Sequence, residues 1–189
     1  MSHQKWAVFL AVGLVFSAVM AKESKPKKKS NLHLQSSTFK DGGFLPAKCS
    51  RAGGNQSPEL TWTGVPPKTQ CFAIIVDDPD ASIPAFVHWV IYNIPAKPTD
   101  PTSNTYELLE DFPRDEKTNA GILQGANGFQ DIGYDGPAPP SGTHRYYFKL
   151  YALDAPVRLP AGETAAQLMK AIHGHVLGWT QIMGQYGHS

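Results

Sequence analysis

Apolar residues in this chain gather in short runs that break at glycine or proline, the pattern of strands joined by tight turns. Leu60 and Trp62 alternate within residues 59–65 before Pro66-Pro67-Lys68 ends the run. Residues 71–78 and 87–94 are rich in β-branched and aromatic side chains, and Pro95 closes the second. Residues 146–153 form a further strand-like run. Residues 97–119 are polar and proline-rich and predict a surface excursion, and residues 121–142 predict a glycine- and proline-rich loop. One helix is predicted from Ala165, because Thr164 followed by Gln167 is a capping box. Its stripe of Ala165, Leu168, Met169, Ile172 and Val176 has helical spacing and is expected to face the core, with His173 and His175 placed against the negative end of the helix dipole. The fold class is therefore mainly β.

Side chains two apart on a strand share a face. By that rule His144 and Tyr146 point the same way, with Phe148 and Leu150 continuing beneath them. Asp78 falls on the face of Phe72, Ile74 and Val76, and His88 on that of Val90 and Tyr92. Polar groups at the ends of apolar strands make the mouth of a small-ligand pocket.

The N-terminus departs from this pattern. Lys5, an uncharged run over residues 6–21 and the small-residue boundary Val19-Met20-Ala21 predict a secretory signal over residues 1–21, cut after Ala21. The mature protein is then expected to be periplasmic or secreted. Lys22, Lys25, Lys27, Lys28 and Lys29 follow at once, so an uncleaved membrane anchor is the alternative. Residues 22–31 read as a basic, solvated linker and 32–189 as one domain. Without residues 1–21 the chain has 16 basic and 16 acidic residues, which lacks the positive footprint of a nucleic-acid binder. Its two cysteines, Cys49 and Cys71, are free to form one disulfide in an exported chain or to stay as buried thiols.

The candidate chemistry lies in Asp77-Asp78-Pro79-Asp80 with His88, and in Gly142-Thr143-His144-Arg145-Tyr146. Imidazoles and a tyrosine hydroxyl donate hydrogen bonds to phosphate oxygens, and a nearby carboxylate orients them. A hydrolase is the alternative reading of the same groups. It lacks a nucleophile: there is no Gly-x-Ser-x-Gly elbow, Cys71 begins a strand, and Ser82 and Ser141 lie in turn-forming loops. Asp78, Asp80, His88 and His144 are also potential metal ligands by type, but their spacing does not fix a coordination geometry, and no cofactor or metal is expected.

In combination these stretches resemble the phosphatidylethanolamine-binding protein (PEBP) family, most closely its bacterial branch, often called Raf kinase inhibitor-like. The likeness runs from Asn55-Gln56-Ser57-Pro58-Glu59-Leu60-Thr61-Trp62, through Asp77-Asp78-Pro79-Asp80-Ala81 and His88-Trp89, to Gly142-Thr143-His144-Arg145-Tyr146-Tyr147-Phe148. Gly136-Pro137-Ala138-Pro139-Pro140, Tyr151-Ala152-Leu153-Asp154, Gly174-His175-Val176-Leu177 and Gly184-Gln185-Tyr186-Gly187 extend it over roughly residues 32–187. The resemblance implies two antiparallel β-sheets with a few peripheral helices. It also implies a pocket for a small anionic ligand: phosphate, phosphoethanolamine or a phospholipid headgroup. Carried over by position, the pocket is Asp78, His88, His144 and Tyr146, with Asp80 nearby and the Gly136–Pro140 loop as one wall. Ser82 departs from the family's usual proline after Asp-Pro-Asp-Ala, with Pro84 two residues later. The family's inhibitory members imply a second role, that of an interaction protein with a partner in the envelope or outside the cell.

Overall fold

A computed structural model describes residues 31–83, 85–100 and 102–187. The expected signal segment, and the linker as far as residue 30, lie outside these residues. The sequence's strand runs become β1 (His33–Gln35), β2 (Leu60–Thr63), β3 (Cys71–Asp78), β4 (Phe86–Pro95), β5 (Tyr106–Leu108), β6 (Leu123–Gln124), β7 (Thr143–Leu153) and β8 (Val176–Gly187), with the helix α1 (Ala165–Ala171) before the last. They pair antiparallel into a three-stranded sheet, β1-β2-β5, and a five-stranded sheet, β6-β4-β3-β7-β8. Among the described residues no helix is long and apolar enough to cross a membrane.

The larger sheet is covered on both faces. Phe72, Ile74, Val76, Phe148 and Leu150 share one core with Leu34, Leu60 and Trp62 of the smaller sheet. Ala73, Ile75, Val90, Tyr92 and Leu153 share a second with Leu168 and Ile172 from the helical region. A strand buried on both faces needs no polar alternation, which is why β3 reads as a nearly continuous apolar run.

Two irregularities in the β3–β4 pairing matter. Phe72 faces Ile94 and Ala73 faces Tyr92, leaving Asn93 as an extra residue with φ +59°, its side chain bonded to both backbone groups of Val157. Val76 faces Trp89 and Asp77 faces Val87, leaving His88 as a second extra residue. An inserted residue resets the alternation of the strand. His88 therefore does not share a face with Val90 and Tyr92, which lie in the second core; its ring packs against Tyr146 on the opposite side.

Several other expectations change. The surface excursion over 97–119 contains β5, whose Tyr106 stacks on Trp62 and meets Phe72 edge-on, and the loop over 121–142 contains β6. The capping box forms as read, but α1 stops at Ala171: Val176 belongs to β8, and Met169 is exposed instead of facing the core. His175 lies beyond the helix and its Nδ1 pairs with Asp154 at 2.8 Å. Cys49 and Cys71 are free thiols, buried in the first and second core respectively. With the central sheet between the two cores, the disulfide has no path, and of the two alternatives the buried thiols are the one present.

Candidate functional site

The site forms where β3, β4 and β7 end together. Asp78 closes β3 and turns the chain, its Oδ1 accepting the backbone N–H groups of Asp80 (2.8 Å) and Ala81 (3.1 Å). This is the turn chemistry expected of Asp-Pro-Asp. Its Oδ2 accepts Nδ1–H of His144 at 2.7 Å, so the two motifs, 66 residues apart, meet through one carboxylate. With Nδ1 donated to Asp78, the nitrogen His144 leaves for a ligand is Nε2.

His88 is buried and held differently. Its Nδ1 lies 2.6 Å from the carbonyl oxygen of Asp135. A carbonyl only accepts, so Nδ1 carries the proton. Burial lowers the pKa of the ring, outweighing the carbonyls of Asp135 and Gly136 and the charges of Asp78 and Asp135. Neutral His88 thus keeps a lone pair on Nε2. The rings of Phe86, Phe129 and Tyr146 enclose it edge-on, at centroid distances of 5.2, 5.9 and 5.1 Å. Neutral His88 therefore presents an acceptor, not a donor, through Nε2.

Tyr146 completes the cluster. Its side chain is 1% exposed, and its buried hydroxyl lies beside the Asp78 carboxylate without forming a hydrogen bond of good geometry. Burial and then the Asp78 charge push the hydroxyl well above its ordinary pKa, so it stays a donor. Such a group carries a desolvation penalty of about 1–3 kcal/mol unless something occupies the site. Trp62 Nε1 is also buried and unpartnered, but it lies in the aromatic core beside Phe72 and Tyr106.

Asp80 is not part of this cluster. Its carboxylate grips Arg145 through Nε (2.8 Å), Nη2 (2.7 Å) and the backbone N–H (2.9 Å), and the guanidinium holds its pKa down at about 2. Its role is to tie the first motif to β7. Because the folded pKa lies below the unfolded value, this stabilisation is full above about pH 4 and disappears as pH falls through about 2. Asp80→Asn is expected to lower the melting temperature at pH 7 by about 2 °C, a modest shift because the pair is solvent-screened, and to leave it unchanged near pH 2. Thermal scans at both pH values check this.

Gly136 supports the site from behind. A Cβ there would lie 1.9 Å from the carbonyl oxygen of Cys49, and its N–H donates to Asn55 Oδ1 at 2.7 Å. Pro140, at the far end of that loop, is exposed. Ser82 lies exposed in the turn after Ala81.

The hub that sequence reasoning missed is Asp135. Its side chain is 2% exposed and accepts from Asn55 Nδ2 (2.7 Å), Asn127 Nδ2 (2.8 Å) and both terminal nitrogens of Arg114 (3.3 and 3.2 Å). Burial alone would raise its pKa, but these bonds outweigh it and keep the carboxyl below the usual value. Its backbone clamps His88 from both sides, accepting from Nδ1 and donating N–H to the His88 carbonyl at 2.9 Å. Arg51 lies 3.8 Å from the same carboxylate and 3.9 Å over the ring of Phe129. The only sequence signal was an acid between Gly133 and Gly136, which reads as a turn former.

Among the described residues, no group of three or more His, Cys, Asp or Glu is placed to hold a metal ion.

A phosphatidylethanolamine-binding protein family model matches residues 35–187. The chain is 41% identical over 155 residues to the UPF0098 protein of Methanothermobacter thermautotrophicus, covering 82% of this chain and 98% of that one. It is 42% identical over 154 residues to the UPF0098 protein of Aquifex aeolicus, covering 80% and 85%. Among solved structures, a PEBP homologue from Chlamydia trachomatis superposes with a TM-score of 0.72 at 32% identity, over 86% of this chain and all of that one. Escherichia coli YbcL, described as a member of the mammalian PEBP family, superposes with a TM-score of 0.75 at 31% identity, over 85% of this chain and all of its own. Fold, motifs and relatives agree, and the chain belongs to the phosphatidylethanolamine-binding protein family.

Proposed function

We propose that the protein binds a small phosphate-bearing anion, free or as a phospholipid headgroup, in the cluster of His88, His144 and Tyr146. The observation that carries this reading is the buried hydroxyl of Tyr146, held in no hydrogen bond of good geometry, beside two imidazoles that each commit only Nδ1, to Asp135 and to Asp78. A bound oxyanion would satisfy that hydroxyl and accept from His144 once the ring is doubly protonated. Asp78 acts as the orienting group, since its own acceptors are taken by two backbone amides and His144.

Binding without turnover fits the state of the thiols: both are buried, and desolvation pushes Cys49 and Cys71 up to about 11, leaving them protonated at neutral pH. We assign residues 1–21 as an export signal on the sequence pattern alone, so any protein partner would be met in the envelope or outside the cell. Titration calorimetry with phosphate and phosphoethanolamine tests the reading. Binding is expected for the unaltered protein and at least a tenfold loss for His144→Ala, about the size of a charge-assisted hydrogen bond. Unchanged affinity in the variant would refute the site.

A further inference from the structure

A second cavity lies at the opposite end of the larger sheet, where Leu153 of β7 pairs with Cys71 at the start of β3. It is also on the opposite face: Leu153, Val157 and Ile172 belong to the second core, whereas Tyr146 belongs to the first. The cavity measures about 430 Å³, a volume typical of small-molecule sites, and opens between the 153–158 loop and the end of α1. We infer that it is a second ligand site, independent of the phosphate reading, for a small carboxylic acid with an apolar body whose carboxylate pairs with Arg158.

The lining divides by chemistry in the same way as such a ligand. Leu153, Val157, Ala171 and Ile172 form an apolar wall, onto which a short chain or a ring transfers favourably from water. Arg158 and His175 complete the lining. Of the chain's four arginines, Arg51, Arg114 and Arg145 are each held by aspartates. Arg158 alone has no carboxylate partner among the described residues, and its side chain is exposed. Its planar fork matches a carboxylate through two parallel hydrogen bonds. His175 is oriented by Asp154, which accepts from Nδ1, so the doubly protonated ring offers Nε2–H as a further donor. A neutral or cationic ligand would leave the Arg158 charge unanswered.

The walls are formed before any ligand enters. Asn93, the extra residue near the end of β4, donates to the Val157 carbonyl at 3.0 Å and accepts the Val157 N–H at 2.8 Å. The Cys71 thiol donates to the Ala155 carbonyl at 3.4 Å, and the Asp154 N–H donates to the His175 carbonyl at 3.0 Å. A bulge, a buried thiol and a surface ion pair, none of them used by the phosphate cluster, thus fix the loop that carries Arg158. A cleft held in this way loses little freedom on binding.

The test is an NMR titration of the full-length protein at neutral pH with hexanoate, beside hexanol and hexylamine, which share its chain and differ in charge. Hexanoate is expected to shift the amides of Leu153, Arg158, Ala171 and His175 saturably. It is expected to bind about tenfold or more tightly than the other two, the worth of a charge-assisted pair. Arg158→Gln, a change on an exposed side chain, is expected to remove that preference while phosphate binding measured by calorimetry stays as it was. Ala171→Phe fills the cleft and is expected to weaken all three probes. No saturable shift in the cleft, or shifts confined to the His88, His144 and Tyr146 cluster, would overturn the site. Equal binding of the three probes, or undiminished hexanoate affinity in Arg158→Gln, would overturn the carboxylate assignment.

Discussion

Asp135→Ala is expected to reduce folding stability by about 3 kcal/mol and to weaken anion binding by about tenfold or more in the fraction that still folds. The stability loss follows from what the carboxylate holds. Asn55, Asn127 and Arg114 all donate to it; Arg114, 39% exposed, and the half-buried Asn55 have water to turn to, whereas Asn127 is buried. Removing the acceptor leaves the amide of Asn127, itself buried, short of a partner and removes one of the bonds that tie Asn55 to the loop that carries Gly136. The binding loss follows from the backbone: once the loop relaxes, the carbonyl that fixes His88 Nδ1–H is no longer held in place. Chemical denaturation gives the first quantity and calorimetry the second. A variant that unfolds like the original protein would show that Asp135 is not the hub. Asp135→Asn separates charge from shape. It keeps one oxygen for the amides but turns the other into a donor facing Arg114, so an intermediate loss is expected.

The same cluster shows what the sequence discloses and what it withholds. His144 and Tyr146 were legible because β7 is regular over the stretch that holds them, so period-two reasoning carried them to one face with Phe148 and Leu150. Asp78 was legible because its turn is local chemistry. His88 was assigned to the site through the family likeness while strand parity turned it the other way. Its strand, Phe86–Pro95, is buried along most of its length, and no polar alternation marks the residue inserted opposite the Val76–Asp77 step. Asp135 was hidden for another reason: its side-chain and backbone roles depend on Asn55, His88 and Arg114, distant in sequence, as well as on Asn127. The strand β8 was obscured by Gly178, Gly184 and Gly187, which a single-sequence reading takes as turns. At Gly184 the glycine serves packing: a Cβ there would lie 2.7 Å from Leu45 Cγ. The helix was recognisable at its start, where the capping box is local, and misjudged at its end, where Gly174 and its φ of +85° turn the chain into β8.

Asp78→Asn is expected to reverse the tautomer of His144 and to weaken the pH dependence of binding. The asparagine oxygen keeps the acceptor for the amides of Asp80 and Ala81, so the turn is retained. The position of Oδ2 becomes an NH2 group, a donor aimed at Nδ1 from 2.7 Å. Two donors do not pair, so His144 relieves the conflict by moving its proton to Nε2 and accepting through Nδ1. In the original protein Nδ1 donates to Asp78, so Nε2 donates to an anion only from the doubly protonated ring. In the variant Nε2–H is present in the neutral ring. A charge-assisted bond is thus exchanged for a neutral one, and affinity is expected to fall about tenfold at the acid end of the titration and to change less at its alkaline end. Imidazole nitrogen shifts report the tautomer directly, and titration with methyl sulfate, whose charge is constant over this range, isolates the protein's share of the pH dependence. If His144 keeps its proton on Nδ1, or the slope of affinity with pH matches that of the original protein, Asp78 does not set the protonation of the site.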